Sequence, residues 1–141
     1  MSVLRTHHVG ITVRDLETVR SFYERVLGLS VVDTFSVSGT GFEEAVDVPN
    51  AAGSFVHLES EGGDVRLELV EYEPEAPASR AESINQPGAA HVSFAVADLE
   101  AFADSIPDDA ERLSGPRTTA SGTTIMFLRD PEGNLIEIVE A

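Results

Sequence analysis

The sequence predicts an α+β protein built from two tandem βαβββ modules, on three observations. The segment His8-Val9-Gly10-Ile11-Thr12-Val13-Arg14-Asp15-Leu16-Glu17 returns as His91-Val92-Ser93-Phe94-Ala95-Val96-Ala97-Asp98-Leu99-Glu100, with His, Val, Val, Asp, Leu and Glu in register. The segment Leu67-Glu68-Leu69-Val70-Glu71 returns as Ile136-Glu137-Ile138-Val139-Glu140. Each half therefore opens on a histidine-bearing strand and closes on a glutamate-bearing one, and such a repeat constrains the architecture before any single element is assigned. Between the halves, Glu73-Pro74-Glu75-Ala76-Pro77-Ala78-Ser79-Arg80 reads as an extended linker, since proline-rich sequence holds the chain open. At 141 residues the chain suits a single domain. It is read as one domain over residues 1–141, with module one at about 1–73, the linker at about 74–87 and module two at about 88–141.

The elements follow in order. Val3–Val13 alternates apolar and non-apolar positions, the pattern of a half-buried strand. Asp15 is placed to accept hydrogen bonds from the free amides of a first helical turn. Leu16, Val19, Phe22, Tyr23, Val26 and Leu27 then recur at helical spacing, and Gly28 ends the helix. Ser30–Val37, Gly53–Glu59 and Arg66–Glu71 read as three strands. Ser38–Gly53 reads as an acidic loop, solvated or able to fold over a site. In module two, Ala90–Val96 is a strand, Asp98 caps a short helix through Ser105, and a weak strand lies near Glu111–Ser114. Thr123–Arg129 and Leu135–Glu140 complete the module, joined by the turn Asp130-Pro131-Glu132-Gly133-Asn134.

Composition narrows the function. Apolar residues make up 42%, enough for a packed core and too many for a disordered chain. With no cysteine, the chain has no disulfide framework, thiolate nucleophile or cysteine-based metal site. No run of about 18 apolar residues is present, so no membrane span is expected. Met1-Ser2-Val3-Leu4-Arg5 lacks the apolar stretch of a signal peptide, and a cytoplasmic location is expected. The net charge is −16, from 25 acidic and 9 basic residues, all nine of them Arg. A surface so acidic repels phosphate backbones and anionic lipids, which argues against nucleic-acid and membrane partners. It also repels itself unless salt screens it, so a halophilic, salt-adapted protein is expected.

Strand parity points to the chemistry. Val9, Ile11 and Val13 share one face of the first strand and must cover the helix, which leaves His8, Gly10 and Thr12 on the other. His91, Ser93 and Ala95 likewise oppose Val92, Phe94 and Val96. Glu68 opposes Leu67 and Leu69, and Glu137 opposes Ile136 and Ile138. Two histidines and two glutamates thus occupy repeat-equivalent positions on the face away from the helices. An inward carboxylate is costly unless paired or metal-bound. Two imidazoles with two carboxylates suit a divalent first-row cation and leave positions open for water or substrate.

These motifs, together with Phe22-Tyr23-Glu24-Arg25-Val26-Leu27-Gly28-Leu29, Pro87-Gly88-Ala89-Ala90-His91 and Asp130-Pro131-Glu132-Gly133-Asn134-Leu135-Ile136-Glu137, resemble the vicinal oxygen chelate superfamily. That superfamily includes glyoxalase I, methylmalonyl-CoA epimerase, extradiol dioxygenases and bleomycin- and fosfomycin-resistance proteins. The resemblance implies a U-shaped, barrel-like mixed sheet around a metal site. It implies one divalent ion (Zn, Ni, Co, Mn or Fe) on His8, Glu68, His91 and Glu137. Glu at position 68 resembles the glyoxalase I-like branch, in which the metal polarises a vicinal oxygen pair for proton transfer. On that reading the chain is a metal-dependent lyase or isomerase with a small-molecule substrate, and Glu137 or Glu68 serves as the base. The alternatives are an acyl-thioester epimerase, a resistance-type protein that binds a small molecule without catalysis, and an extradiol dioxygenase. The family resemblance also implies a homodimer.

Other residues carry less. His57 lies near the position where epimerase-like members carry an acid/base residue, and reads either as a catalytic proton shuttle or as a structural histidine. His7 has the parity opposite to His8 and reads as supporting or structural. Arg66, Arg117 and Arg129 read as ion-pair partners sooner than as anion clamps. Gly39-Thr40-Gly41 lacks the Lys of a phosphate loop. With two Tyr, seven Phe and no Trp, little is left for an aromatic-lined groove. Glu71 and Glu140 sit at strand ends, where solvent is expected to reach them.

Overall fold

The side chains of Asp15 and Asp98 set the start of one helix in each module. In the computed structural model, which describes residues 3–63, 65–79 and 81–141, the Asp15 carboxylate accepts from the Thr18 amide at 3.2 Å and from the Thr18 hydroxyl at 2.8 Å. Asp98 accepts from the Ala101 amide at 3.0 Å. Met1 and Ser2 at the N-terminus, Asp64 before the third strand of the expected triplet, and Arg80 within the expected linker lie outside the described residues.

The chain forms two compact units, Met1–Pro77 and Ala78–Ala141. The first contains β1 (His8–Thr12), α1 (Leu16–Arg25), β2 (Ser30–Ser38), α2 (Thr40–Val46), β3 (Ala52–Glu59) and β4 (Arg66–Glu73). The second contains β5 (His91–Val96), α3 (Leu99–Ser105), β6 (Arg117–Thr118), β7 (Thr124–Arg129) and β8 (Leu135–Glu140). Each unit has one four-stranded mixed sheet, in the orders β1-β4-β3-β2 and β5-β8-β7-β6. The opening strand pairs parallel with the closing strand in each, and the remaining pairs are antiparallel. The helix between the first two strands makes the parallel pairing possible, since parallel neighbours need a crossover connection. The α+β class and the βαβββ grammar are as the repeat predicts.

Helix α1 presents Val19, Phe22 and Tyr23 inward, fully or nearly fully buried against Leu67, Leu69 and Leu58. Gly28 then turns the chain with φ +69, a conformation that side-chain-bearing residues rarely adopt. Its amide bonds the Glu24 carbonyl and the Leu29 amide bonds the Tyr23 carbonyl, both at 3.1 Å. In the second unit Leu99 and Ala103 of α3 are buried, as are Met126, Leu128, Ile136 and Ile138 of the sheet. The turn between β7 and β8 is organised by Asp130, which is 3% exposed. Its carboxylate accepts from the amides of Glu132 and Asn134 and from the Asn134 side chain. Losing such a buried acceptor costs roughly 1–3 kcal/mol.

Three expectations are corrected. β1 begins at His8, not Val3, because its ladder with β4 starts at Arg66 and no described residue pairs with Val3–His7; Val3 and Leu4 are exposed. The segment Ser38–Gly53 contains α2, closed by left-handed Asp47 and Asn50, with the Glu43 carboxylate accepting from the Asn50 amide at 2.7 Å. The weak strand near Glu111–Ser114 shrinks to one bridge, Arg112 to Leu128, and the edge strand is Arg117–Thr118. Solvent reaches Glu71, which is half-buried, and Glu140, which is exposed, as expected at strand ends, and each also serves a helix. Glu71 accepts from the Leu16 amide at 3.1 Å and Glu140 from the Leu99 amide at 3.0 Å. Each closing strand therefore supplies a second acceptor to the helix that follows the opening strand, where the helix dipole favours negative charge.

Hydrogen bonds from Thr18 hold the Asp15 carboxyl below its ordinary range. A carboxyl depressed in the folded state adds stability that is present above its unfolded pKa and is lost as pH falls through the lower folded value. The stability difference between wild type and Asp15→Ala, read by urea unfolding across pH, is expected to be constant above about pH 5 and to shrink as the medium is acidified below pH ~4.

Candidate functional site

The parallel pairing of opening and closing strands determines which side chains meet. In the first unit Gly10 is opposite Glu68, and His8, two residues earlier, lies on the same face. His8 Nε2 is 3.5 Å from Glu68 Oε2. In the second unit Ser93 is opposite Glu137, with His91 two residues earlier. His91 Nε2 is 3.7 Å from Glu137 Oε1. The two units thus carry the same imidazole–carboxylate pair in the same register, each partly exposed. An added Cβ at Gly10 would stand 3.7 Å from Glu68 Oε1, in ordinary van der Waals contact.

The pairs differ in what lies beside them. On β3, His57 is directly opposite Glu68, and its Nε2 is 2.7 Å from Glu68 Oε2. Against a carboxylate the ring nitrogen is the donor. His57 is 5% exposed, and its Nδ1 is buried with no hydrogen-bond partner among the described residues. On β7 the residue opposite Glu137 is Phe127, whose ring lies edge-on to His91 at 5.2 Å. Phe127 has nothing to donate, so Glu68 is tied by a hydrogen bond and Glu137 receives none among the described residues.

His7 Nδ1 lies 2.8 Å from His8 Nδ1. Engaging that nitrogen leaves Nε2 of His8 directed at Glu68, the arrangement by which a second contact orients a ligating imidazole. Position 90 in the second module is Ala, so His91 lacks this support. The three arginines weighed as clamps are occupied locally. Arg66 faces Glu59 at 3.4 Å, Arg117 donates to the Pro116 carbonyl, and Arg129 donates to Gly133 and Glu82 carbonyls.

A row of rings extends from the first pair. Phe35 is edge-on to His57 at 5.1 Å and stacks on Phe55 at 5.0 Å with planes 4° apart. Phe42 of α2 and Tyr72 of β4 close on Phe55 at 6.1 and 6.3 Å and stack on each other. Gly53 makes room: a Cβ there would stand 2.6 Å from the Phe55 ring. The expectation that too few aromatics remain for such a wall is corrected. Period-two parity brings Phe55, Phe35 and Tyr72 to one face, a gathering visible only once the strands are paired in register.

The structure brings His8, His57 and Glu68 together in the first unit, and His91 and Glu137 in the second. Among the described residues no group of three or more His, Asp or Glu side chains is disposed to hold a metal ion.

A family profile described as "Glyoxalase/Bleomycin resistance protein/Dioxygenase superfamily" matches residues 5–138. Uncharacterized protein YqjC of Bacillus subtilis (strain 168) is 30% identical over 141 residues, covering 96% of this chain and 91% of its own. Virulence protein STM3117 of Salmonella typhimurium is 30% identical over 143 residues, covering 98% of this chain and 85% of its own. The crystal structure of a glyoxalase family protein from Bacillus cereus has a TM-score of 0.87, with 24% identity over 99% of this chain and 95% of that one. A glyoxalase I mutant from Zea mays has a TM-score of 0.66 and 18% identity, covering 97% of this chain and 44% of that one. Structural likeness at these identities speaks to the fold alone.

The His57–Glu68 contact has a measurable consequence. His57→Phe, which installs the residue found at the equivalent position of module two, is expected to cost about 1.5–3 kcal/mol, the value of a hydrogen bond to a charged group. His57→Ala, which also opens a cavity, is expected to cost roughly 2–4 kcal/mol in the same urea titration.

Proposed function

Because the chain belongs to the glyoxalase/bleomycin resistance protein/dioxygenase superfamily, we propose that it is a metal-dependent lyase or isomerase of the glyoxalase I type, acting on the adduct of a thiol and a 2-oxoaldehyde. The observation that carries this reading is the matched spacing of the two pairs. At 3.5 and 3.7 Å, His8–Glu68 and His91–Glu137 are too wide for hydrogen bonds. Two donors that each sit about 2.1 Å from one cation at a near-tetrahedral angle are separated by about 3.4 Å. The donor set of two imidazoles and two carboxylates fits a divalent ion (Zn, Ni, Co, Mn or Fe) better than it fits a pair of isolated salt bridges. The reading holds whether the four ligands come from one chain or from two copies of a homodimer.

When bound, the ion would polarise the two adjacent oxygens of the substrate and acidify the proton on the carbon beside them. His8 and His91 would hold it through Nε2. Glu68, fixed by His57, would stay in place as a ligand. Glu137, which receives no hydrogen bond among the described residues beyond its loose approach to His91, is the carboxylate free to move a proton. It takes the proton from the thiol-bearing carbon and returns it to the neighbouring ketone carbon. The hydroxyl oxygen becomes the thioester carbonyl and the ketone oxygen becomes the new hydroxyl, so the product is an isomer and no oxidant or reductant enters. His57 acts here as a positioning residue for Glu68.

The test is turnover of a methylglyoxal hemithioacetal by protein loaded in turn with nickel, cobalt, manganese or zinc, in high salt to screen the net charge of −16. Glu137→Gln is expected to lower kcat by about 10²–10⁴-fold, the usual contribution of a positioned base, and Glu68→Gln by less. Absence of turnover with all four metals would remove the proposal.

A further inference from the structure

We propose that Ser93 is the positioning residue that receives Glu137 when its carboxylate turns away from His91, so that the second half-site holds its glutamate in two places where the first holds its own in one. The proposal deepens the functional reading above and rests on it only for the use made of the second place. Three observations carry it.

The first is register. Ser93 of β5 and Glu137 of β8 are direct partners in the parallel pair. Such partners share a face of the sheet, on strands about 5 Å apart. The Glu137 carboxylate leans toward His91, two residues before Ser93, and stops 3.7 Å from its Nε2. The second is availability. Ser93 is exposed, and its hydroxyl has no hydrogen-bond partner among the described residues. Glu137 has room to turn: Val139, Ile125 and Phe127 on its face are only half-buried, whereas Ile136, Ile138, Met126 and Leu128 on the helix face are buried. Its side chain keeps 21% exposure, against 13% for Glu68.

The third is the contrast between the modules. In module one the donor stands on the antiparallel neighbour, as His57 at 2.7 Å from Glu68, and the parallel neighbour offers Gly10, which has no side chain. In module two the antiparallel neighbour offers Phe127, which cannot donate, and the parallel neighbour offers Ser93. The polar partner has changed sides. It has also changed kind. A buried imidazole holds a carboxylate from one direction, whereas a hydroxyl rotates to suit its partner and both donates and accepts. Ser93 therefore bonds Glu137 as a carboxylate before it takes the substrate's proton and as a carboxylic acid while it carries it, with no bond made or broken at the serine.

The experiment uses three variants. Ser93→Ala removes the hydroxyl, Ser93→Gly copies Gly10, and Ser93→Thr keeps the hydroxyl. The first readout needs neither metal nor turnover: the carbon-13 carboxyl resonance of Glu137 in glutamate-labelled protein, assigned by its loss in Glu137→Gln. It is expected to shift in Ser93→Ala and Ser93→Gly and to return toward the wild-type position in Ser93→Thr, while the Glu68 resonance stays in place. The second readout is hemithioacetal turnover by the metal-loaded protein at high salt. Ser93→Ala and Ser93→Gly are expected to lower kcat about tenfold, the lower end for loss of one hydrogen bond to a charged group. KM is expected to stay within about twofold, because the contact is made during proton movement and not on binding. Ser93→Thr is expected to restore kcat, and all three variants to keep the wild-type cobalt stoichiometry. A Glu137 resonance unmoved by Ser93→Ala, a loss confined to KM, or a Ser93→Thr variant as impaired as Ser93→Ala overturns the proposal. A resonance that responds as expected in a protein without turnover upholds the contact and removes the catalytic reading; an unmoved resonance in an active enzyme does the reverse.

Discussion

The molecule depends on one constraint repeated twice: the closing strand of each βαβββ module lies parallel to, and in fixed register with, its opening strand. That pairing sets Gly10 opposite Glu68 and Ser93 opposite Glu137. Because side chains alternate along a strand, a slip of one residue would turn every functional group to the helix side. The register is held from both faces. On the helix side, Leu67, Leu69, Ile136 and Ile138 are buried, and Glu71 and Glu140 reach the first amides of α1 and α3. The closing strand is thereby anchored to the helix N-terminus three residues from the carboxylate that faces the other way. Packing, capping and chemistry use alternate residues of one short segment.

Duplication explains the likeness of the halves, and divergence at a few positions explains how they differ. Where module one has His57, module two has Phe127, and each is directly opposite the glutamate of its own closing strand. One carboxylate is consequently restrained by a short hydrogen bond, and its counterpart retains freedom. Two glutamates at equivalent register positions thus differ in restraint through a single opposing side chain. The insertion of α2 and the rings around Phe55 give module one an apolar wall that module two does not share.

Much of this was legible in the amino-acid sequence, for reasons that can be named. The repeat register, the caps at Asp15 and Asp98 and the Asp130 turn are local features, decided within a few residues by hydrogen bonds that those side chains always seek. Parity put His8, Glu68, His91 and Glu137 on the face opposite the helices because alternation is a short-range property. What escaped detection was long-range. Glu71 and Glu140 have the same parity as the buried leucines and isoleucines, yet nothing adjacent in sequence shows that a helix amide waits for them. α2 is short and lacks a side-chain cap, with Gly39 at its N-terminus, so it leaves no signature at its start. The aromatic wall is assembled from four elements, and the count of aromatic residues gave no hint that they converge. β1 was read too long because Val3 and Leu4 continue the alternation while having no strand beside them.

The central proposal is that His8, Glu68, His91 and Glu137 hold a single ion. The most direct measurement is the cobalt stoichiometry of the purified protein, by elemental analysis after removal of free metal, alongside His8→Ala and His91→Ala. The account predicts one cobalt per chain in the wild type and loss of tight binding in both variants, although the two histidines belong to different units. Two ions per chain, or an ion retained in full by either variant, would contradict it.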